Sequence, residues 1–291
     1  MKKKNKLLLF TLTLATFPVA YATPLCTDYA AITGSVGATS ATMSDYIALG
    51  NTGCQIDDKI FYDFSYNYRF FDPFSRGVPD NVDPDVQAGN VTVTAVANPL
   101  NPIFNFAGNW QATNGYQTDI DIGYKIFALD ANGLQVGPPA FPIIKATMTL
   151  TGGTSDLDPL NEGNGSITTA DNVLDTVHGQ DLVLTPSIFA PPGGTIASTS
   201  VTDTKSFLTG TQMVEIHKDV LLDSGGNGVT NSNFASVSLI SQGLFETAVP
   251  EPLSLVLYGS GLVVFGLLGR SRARRLFATG SARNKNDSGV E

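Results

Sequence analysis

Apolar and polar residues alternate in short runs through the middle of this chain. Val91, Val93, Ala95 and Ala97 interleave with Thr92, Thr94 and Val96, a partly period-two pattern rich in β-branched residues. A strand turns successive side chains to opposite faces, so alternation of this kind predicts strands. Asn98 to Pro102 reads as a turn, and Ile103-Phe104-Asn105-Phe106 as a short strand that Gly108-Asn109 ends. From Thr118 to Leu129, Ile120, Ile122, Tyr124 and Ile126 alternate with Asp119, Asp121 and Lys125. Asp130-Ala131-Asn132-Gly133 follows, and its Asn-Gly step is a hairpin signal. Ile143 to Leu150 predicts another strand, with Ala146, Met148 and Leu150 on one face and Gly152-Gly153 as the turn behind it. Further strands are expected at Gly165–Thr169, Leu182–Leu184, Ser198–Phe207, Met213–Leu222 and Ala235–Gln242. One short stretch, Thr42 to Leu49, has helical spacing at Met43, Tyr46, Ile47 and Leu49. Many short strands without a long amphipathic helix predict an all-β fold, a single β-sandwich or jelly-roll-like domain.

The two ends break this pattern with continuous apolar runs. Lys2, Lys3, Lys4 and Lys6 precede a run from Leu7 to Val19, which leads into Ala20-Tyr21-Ala22. A basic start, a short apolar stretch and small residues at Ala20 and Ala22 are the parts of a secretory signal, expected to span residues 1–22. The run is roughly 13 residues, short of the about 20 that cross a bilayer; a buried helix or a permanent anchor is its other use. At the far end, Val249-Pro250-Glu251-Pro252 precedes an uncharged segment, Leu253 to Gly269, and then Arg270, Arg272, Arg274 and Arg275. The prolines keep the chain around Glu251 out of a regular helix. The segment is about 17 residues, near the lower limit for spanning, and its glycines suit close helix packing in lipid. The arginines would stay on the cytoplasmic side, leaving residues 23–248 as an exported β-rich domain.

At these residues the chain resembles the PEP-CTERM proteins of Gram-negative bacteria. The resemblance rests on Val249-Pro250-Glu251-Pro252, the glycine-bearing apolar segment at about 253–269 and the arginine cluster at 270–275. It implies export through the Sec translocon, cutting by signal peptidase and a transient anchor in the inner membrane. It also implies recognition by exosortase, a membrane-embedded cysteine transpeptidase-like enzyme, and delivery to the cell surface or extracellular matrix. The chain departs from the family pattern by continuing through residues 276–291, read as a disordered cytoplasmic tail. Asp45-Tyr46-Ile47-Ala48-Leu49-Gly50, Gly53-Cys54, Lys59-Ile60-Phe61, Phe104 to Ala112 and Val214 to Leu222 are also similar to such proteins. That second likeness implies an all-β domain and supplies no activity.

Charge divides the chain the same way. Seven of its seventeen basic residues and twenty-three of its twenty-six acidic ones fall between the two end segments, a net charge near −16 there. Such a surface repels nucleic acid and anionic lipid, which excludes a nucleic-acid partner. Cys26 and Cys54 are its two cysteines, and an even pair in an exported domain predicts a disulfide. Closing that loop is worth about 3 kcal/mol.

Candidate chemistry is sparse. In Met213–Leu222, alternation puts Glu215, His217 and Asp219 on the face opposite Ile216, either an acid–base or metal cluster or the solvated side of a strand. His178 reads as a loop residue. The acidic runs Asp80 to Asp85 and Asp156 to Glu162 bunch oxygen ligands suited to calcium, although neither matches the calcium-loop spacing and such residues also build turns. Trp110 with Tyr116, or Tyr62, Tyr66 and Tyr68 taken as one strand face, offers sugar-stacking rings or core packing. No phosphate loop, nucleophile elbow or HExxH occurs. The expectation is a non-catalytic surface or matrix protein associated with exopolysaccharide in a biofilm, with no catalytic residue, metal or cofactor assigned. The alternative is a secreted carbohydrate-active hydrolase using paired carboxylates on the same scaffold.

Overall fold

Among the described residues, thirteen strands stack into two antiparallel sheets. The computed structural model describes residues 23–71, 87–98, 100–113, 115–130, 133–135, 138–155, 157, 165–191, 193–225 and 233–247. The segments read above as export signal, sorting signal and tail, residues 1–22, 249–275 and 276–291, lie outside them. So do the run at Asp80 to Asp85 and all of the Asp156 to Glu162 run except Leu157. Among the described residues no helix is long and apolar enough to cross a membrane.

The strands are β1 (Ala41–Thr42), β2 (Cys54–Ile56), β3 (Lys59–Phe71), β4 (Thr92–Val96), β5 (Ile103–Thr113), β6 (Gln117–Ala128) and β7 (Ile143–Ser155). They continue with β8 (Ser166–Asp175), β9 (Asp181–Leu184), β10 (Ile188–Phe189), β11 (Thr195–Thr211), β12 (Met213–Asp223) and β13 (Phe234–Glu246). One sheet runs β1-β4-β5-β13-β7-β11 and the other β10-β8-β12-β6-β3-β2, with β9 also on β8. From β5 to β8, and again from β11 to β13, successive strands pass from one sheet to the other, as in a jelly roll. The predicted β-sandwich is therefore the observed fold.

Alternation explains the sandwich. Along β6, Ile120, Ile122, Tyr124 and Ile126 are buried while Asp119, Asp121 and Lys125 face outward. Phe61, Phe64, Phe104, Phe106 and Tyr124 fill the space between the sheets, with ring centroids 4.7–6.5 Å apart. Such rings bury large apolar areas and dominate the energetics of a core. Two short helices, α1 (Tyr29–Thr33) and α2 (Met43–Ala48), precede β2. Thr42 and Asp45 form a reciprocal capping box at the start of α2, which satisfies amide donors that a helix end leaves open. From α2, the buried Tyr46 packs on Phe64 and donates its hydroxyl to the Cys26 carbonyl, 2.8 Å away. Cys26 and Cys54 are joined, with Cα atoms 4.9 Å apart. A lasting disulfide belongs to an oxidising compartment.

Three glycine-bearing sites correct the expected boundaries. Gly108-Asn109 does not end a strand: β5 runs on to Thr113, and Ala107 to Trp110 span three steps against two from Val237 to Leu239 on β13. The extra residue is a bulge, and a Cβ on Gly108 would sit 2.7 Å from the Trp110 ring. Gly152-Gly153 does not turn the chain either. It lies inside β7, where a Cβ at either position would come within 2.4 Å of a carbonyl oxygen on β13 or β11. Gly133 does close a tight turn, donating to the Asp130 carbonyl at 2.9 Å with φ 72°. That turn is no hairpin, because β6 and β7 belong to different sheets.

Candidate functional site

The outward face of the seven-stranded sheet gathers more chemistry than any other described surface. β6 lies between β3 and β12, and β12 between β6 and β8. Register then decides which outward side chains meet. Asp219 on β12 stands directly across from Asp121 on β6, and Leu221 across from Asp119. On the other flank, Arg69 pairs with Asp119 and Asn67 with Asp121. Carboxylate oxygens of Asp119, Asp121 and Asp219 consequently lie within 4.8 Å of one another. Three acids this close offer the oxygen ligands a hard cation prefers, and these are the described residues that could hold one.

The cluster edges a cleft of about 370 Å³ lined by Phe71, Asp119, Thr168, Thr169, Ala170, Asp219 and Leu221. Phe71 is 36% exposed, so its ring is available at the rim. Desolvation, then the hydrogen bond and negative charge of Asp219, raise the Asp119 pKa, and Arg69 only partly opposes them. Burial and the neighbouring Asp219 carboxyl group both disfavour the negative charge on Asp119. The hydrogen bond between the two acids also makes them closer than the about 5–5.5 Å that separates the acids of a retaining glycosidase.

The predicted trio at Glu215, His217 and Asp219 is divided. His217 Nε2 lies 3.1 Å from Glu215 Oε1, and Lys125 bridges Asp63 at 2.8 Å and Glu215 at 3.8 Å. Asp219 joins the acidic cluster instead, one outward position further along the strand. The face is the solvated side of a strand, as alternation indicated, and His217 is 63% exposed there. His178 is placed by Asp175, whose carboxylate oxygens lie 2.7 Å from its Nδ1 and accept from its backbone amide at 3.0 Å.

The aromatic candidates turn inward. Trp110 is fully buried and donates from Nε1 to the Tyr66 hydroxyl at 2.9 Å, which removes it as a sugar platform. Tyr116 stacks on Phe70 with centroids 4.9 Å apart. Tyr62, Tyr66 and Tyr68 do not share a face. A bulge between Tyr62 and Ser65, with Asp63 at φ 57°, shifts the alternation by one residue. Tyr62 faces outward across from Lys125, whereas Tyr66 and Tyr68 pack against the core. The same shift brings Phe71 out to the cleft. Sequence reasoning missed both Phe71 and the acidic cluster; only the outward placement of Asp119, Asp121 and Asp219 signalled the latter.

Two lysines among the described residues point the other way, into the interior. Lys218 on β12 is buried with Asp171 on β8, Nζ to Oδ1 2.9 Å, and also donates to Gln242 Oε1 on β13. Lys59 is buried between Asp58 at 2.6 Å and Glu246 at 3.1 Å. Desolvation lifts Glu246 to about 7 despite the Lys59 charge, and lifts the buried Asp171 as well.

No protein-family model matches the chain, and no characterised protein matches it significantly. Solved structures share parts of its outline. The enzymatically active domain of bacteriophage CBA120 tailspike protein 4 is 11% identical over 66% of this chain and 20% of that one, with a TM-score of 0.23. The Eiger TNF of S. frugiperda is 8% identical over 38% and 64%, at 0.22. A carbohydrate-binding module, CBM28, described as specific for non-crystalline cellulose, is 9% identical over 55% and 82%, at 0.24. The chain thus spans a fifth of the first and under two thirds of the second. Scores this low carry no argument about the chain's role.

Proposed function

We propose that this protein is exported, sorted by exosortase to the cell surface or matrix, and holds extracellular polysaccharide there without cutting it. The binding half of the reading rests on the outward cleft, where the carboxyl groups of Asp119 and Asp219 adjoin the exposed Phe71 ring. Carboxyl groups accept hydrogen bonds from sugar hydroxyls, and a ring beside them covers the apolar face of a sugar. A few polar groups set against an apolar wall is the usual make-up of a small-molecule site. The close approach of the two acids favours holding a chain over hydrolysing it, since it leaves no room for a glycosidic bond between them. The sorting half rests on Val249-Pro250-Glu251-Pro252, the apolar segment and the arginines, with Ala20-Tyr21-Ala22 as the exit signal. The disulfide supports export.

Incubating the exported protein with a polysaccharide panel tests the first half. Retention without new reducing ends is expected, and Phe71→Ala with Asp219→Asn should weaken it about tenfold. New reducing ends would replace this reading with the hydrolase. Replacing Pro250-Glu251-Pro252 by alanines should leave the protein folded but away from the surface; unchanged delivery in cell fractions would defeat the sorting half.

A further inference from the structure

The interior group at Lys218 is placed for a reaction as well as for a hydrogen bond. We propose that Lys218 and Gln242 condense into an intramolecular amide cross-link, with Asp171 carrying the proton between them. Three observations lead there. The three side chains meet in a sealed core, where Lys218 is 1% exposed, Asp171 0% and Gln242 1%. Lys218 reaches both partners at once, Asp171 at 2.9 Å and the Gln242 carboxamide oxygen across the sandwich. Asp171 Oδ2 is buried without a hydrogen-bond partner, which leaves one carboxyl oxygen free to exchange a proton.

The neighbours suit this chemistry. Lys218 stands directly across from Asp171 on β8 and from Ile122 on β6. Gln242 lies on the opposing sheet between Phe104 and Met148, both fully buried. Its carboxamide nitrogen has only a long contact, 3.5 Å, to the Gly243 carbonyl, so the leaving group is weakly held. Burial disfavours the charged forms of both partners, lowering Lys218 and raising Asp171, which eases transfer of a proton from ammonium to carboxylate.

The step balances without a co-reactant. Asp171 takes one proton from the ammonium, freeing the lone pair on Nζ. Nζ attacks Cδ of Gln242, forming the new C–N bond. Asp171 passes its proton to Nε2 and receives another from Nζ, the C–Nε2 bond breaks, and ammonia leaves. Water is kept from the product by the same packing that holds the reactants. The link joins β12 to β13, hence one sheet to the other, on strands consecutive in the chain.

Intact mass spectrometry of the reduced, full-length protein reads the outcome directly. Loss of ammonia, about 17 Da, together with a branched peptide joining Lys218 to Gln242 after proteolysis, is the expected result. Lys218→Arg should restore the unmodified mass, and Asp171→Asn should leave both peptides separate in protein that still folds by circular dichroism. An unmodified wild-type mass overturns the proposal and leaves a buried ion pair. So does a loss of about 18 Da joining Lys218 to Asp171, or a loss mapped to Lys59. Because the wild-type mass decides first, a variant that fails to fold does not protect the idea.

Discussion

Neighbouring residues on β12 meet opposite surroundings. Lys218 points inward and stands across from Asp171; Asp219 points outward and stands across from Asp121. Inside, unlike charges face each other and a third group completes the contact. Outside, like charges face each other and water absorbs much of the repulsion. Removing an ion from water costs several kcal/mol, so the interior tolerates a lysine only where partners are built for it. An exposed acid carries no such requirement, and its placement is free to serve binding. A one-residue step along a strand thus separates a position governed by stability from one governed by contact with the outside.

The sharpest way to break this contrast is to delete the inner acid and an outer one in parallel. Asp171→Ala leaves Lys218 uncoupled and without its buried counter-charge, and should cost about 3–5 kcal/mol in urea unfolding. Asp119→Ala should stay within about 0.5 kcal/mol. Equal losses would show that the two faces are not so different.

The second interior lysine sharpens the contrast through pH. Glu246 titrates at about 7 in the fold against 4.5 for its ordinary value. Between those values the folded protein binds a proton that the unfolded chain has released, so this group's contribution falls as pH rises from about 4.5 to about 7. Unfolding midpoints measured across that window should decline, and Glu246→Gln should flatten the decline. A wild-type midpoint that rises steadily through the window would mean Lys59 dominates the site.

Outside, effects are smaller and reverse in sign. Asp219→Asn relieves the pairing with Asp121 and should gain a few tenths of a kcal/mol at low salt. At 1 M salt, where screening reaches only about 3 Å, the gain should vanish. A loss at both salt concentrations would point to a structural role. Smallest of all, Phe71→Ala should change stability by less than about 0.5 kcal/mol while weakening polysaccharide retention. A large unfolding penalty would place that ring in the core.

Period-two patterning made most strands readable, and with them the sandwich. The same rule that set Glu215, His217 and Asp219 outward also sets Lys218 inward beside Ile216 and Val220, so its burial was within reach. Its partner was not. The pattern predicts β8 only to Thr169, two residues short of Asp171; Ala170 and Asn172 are poor strand formers, and pairing with β12 holds them in the strand. The acidic cluster escaped for another reason: Asp121 and Asp219 are far apart in sequence, and only strand register brings them together. The glycines at 152–153 and 108 resemble turns locally, while close approach of neighbouring backbone and the Trp110 ring is what requires them.

The left-handed Asp63 decides more than its own position. Every residue after it on β3, through to the cleft ring at its end, owes its facing to one surplus unit of chain. Orientation there is a matter of parity: with an even count Phe71 would look inward and Phe70 outward. Which aromatic ring the outside world meets is therefore written in the spacing of the strand, several residues upstream of the ring itself.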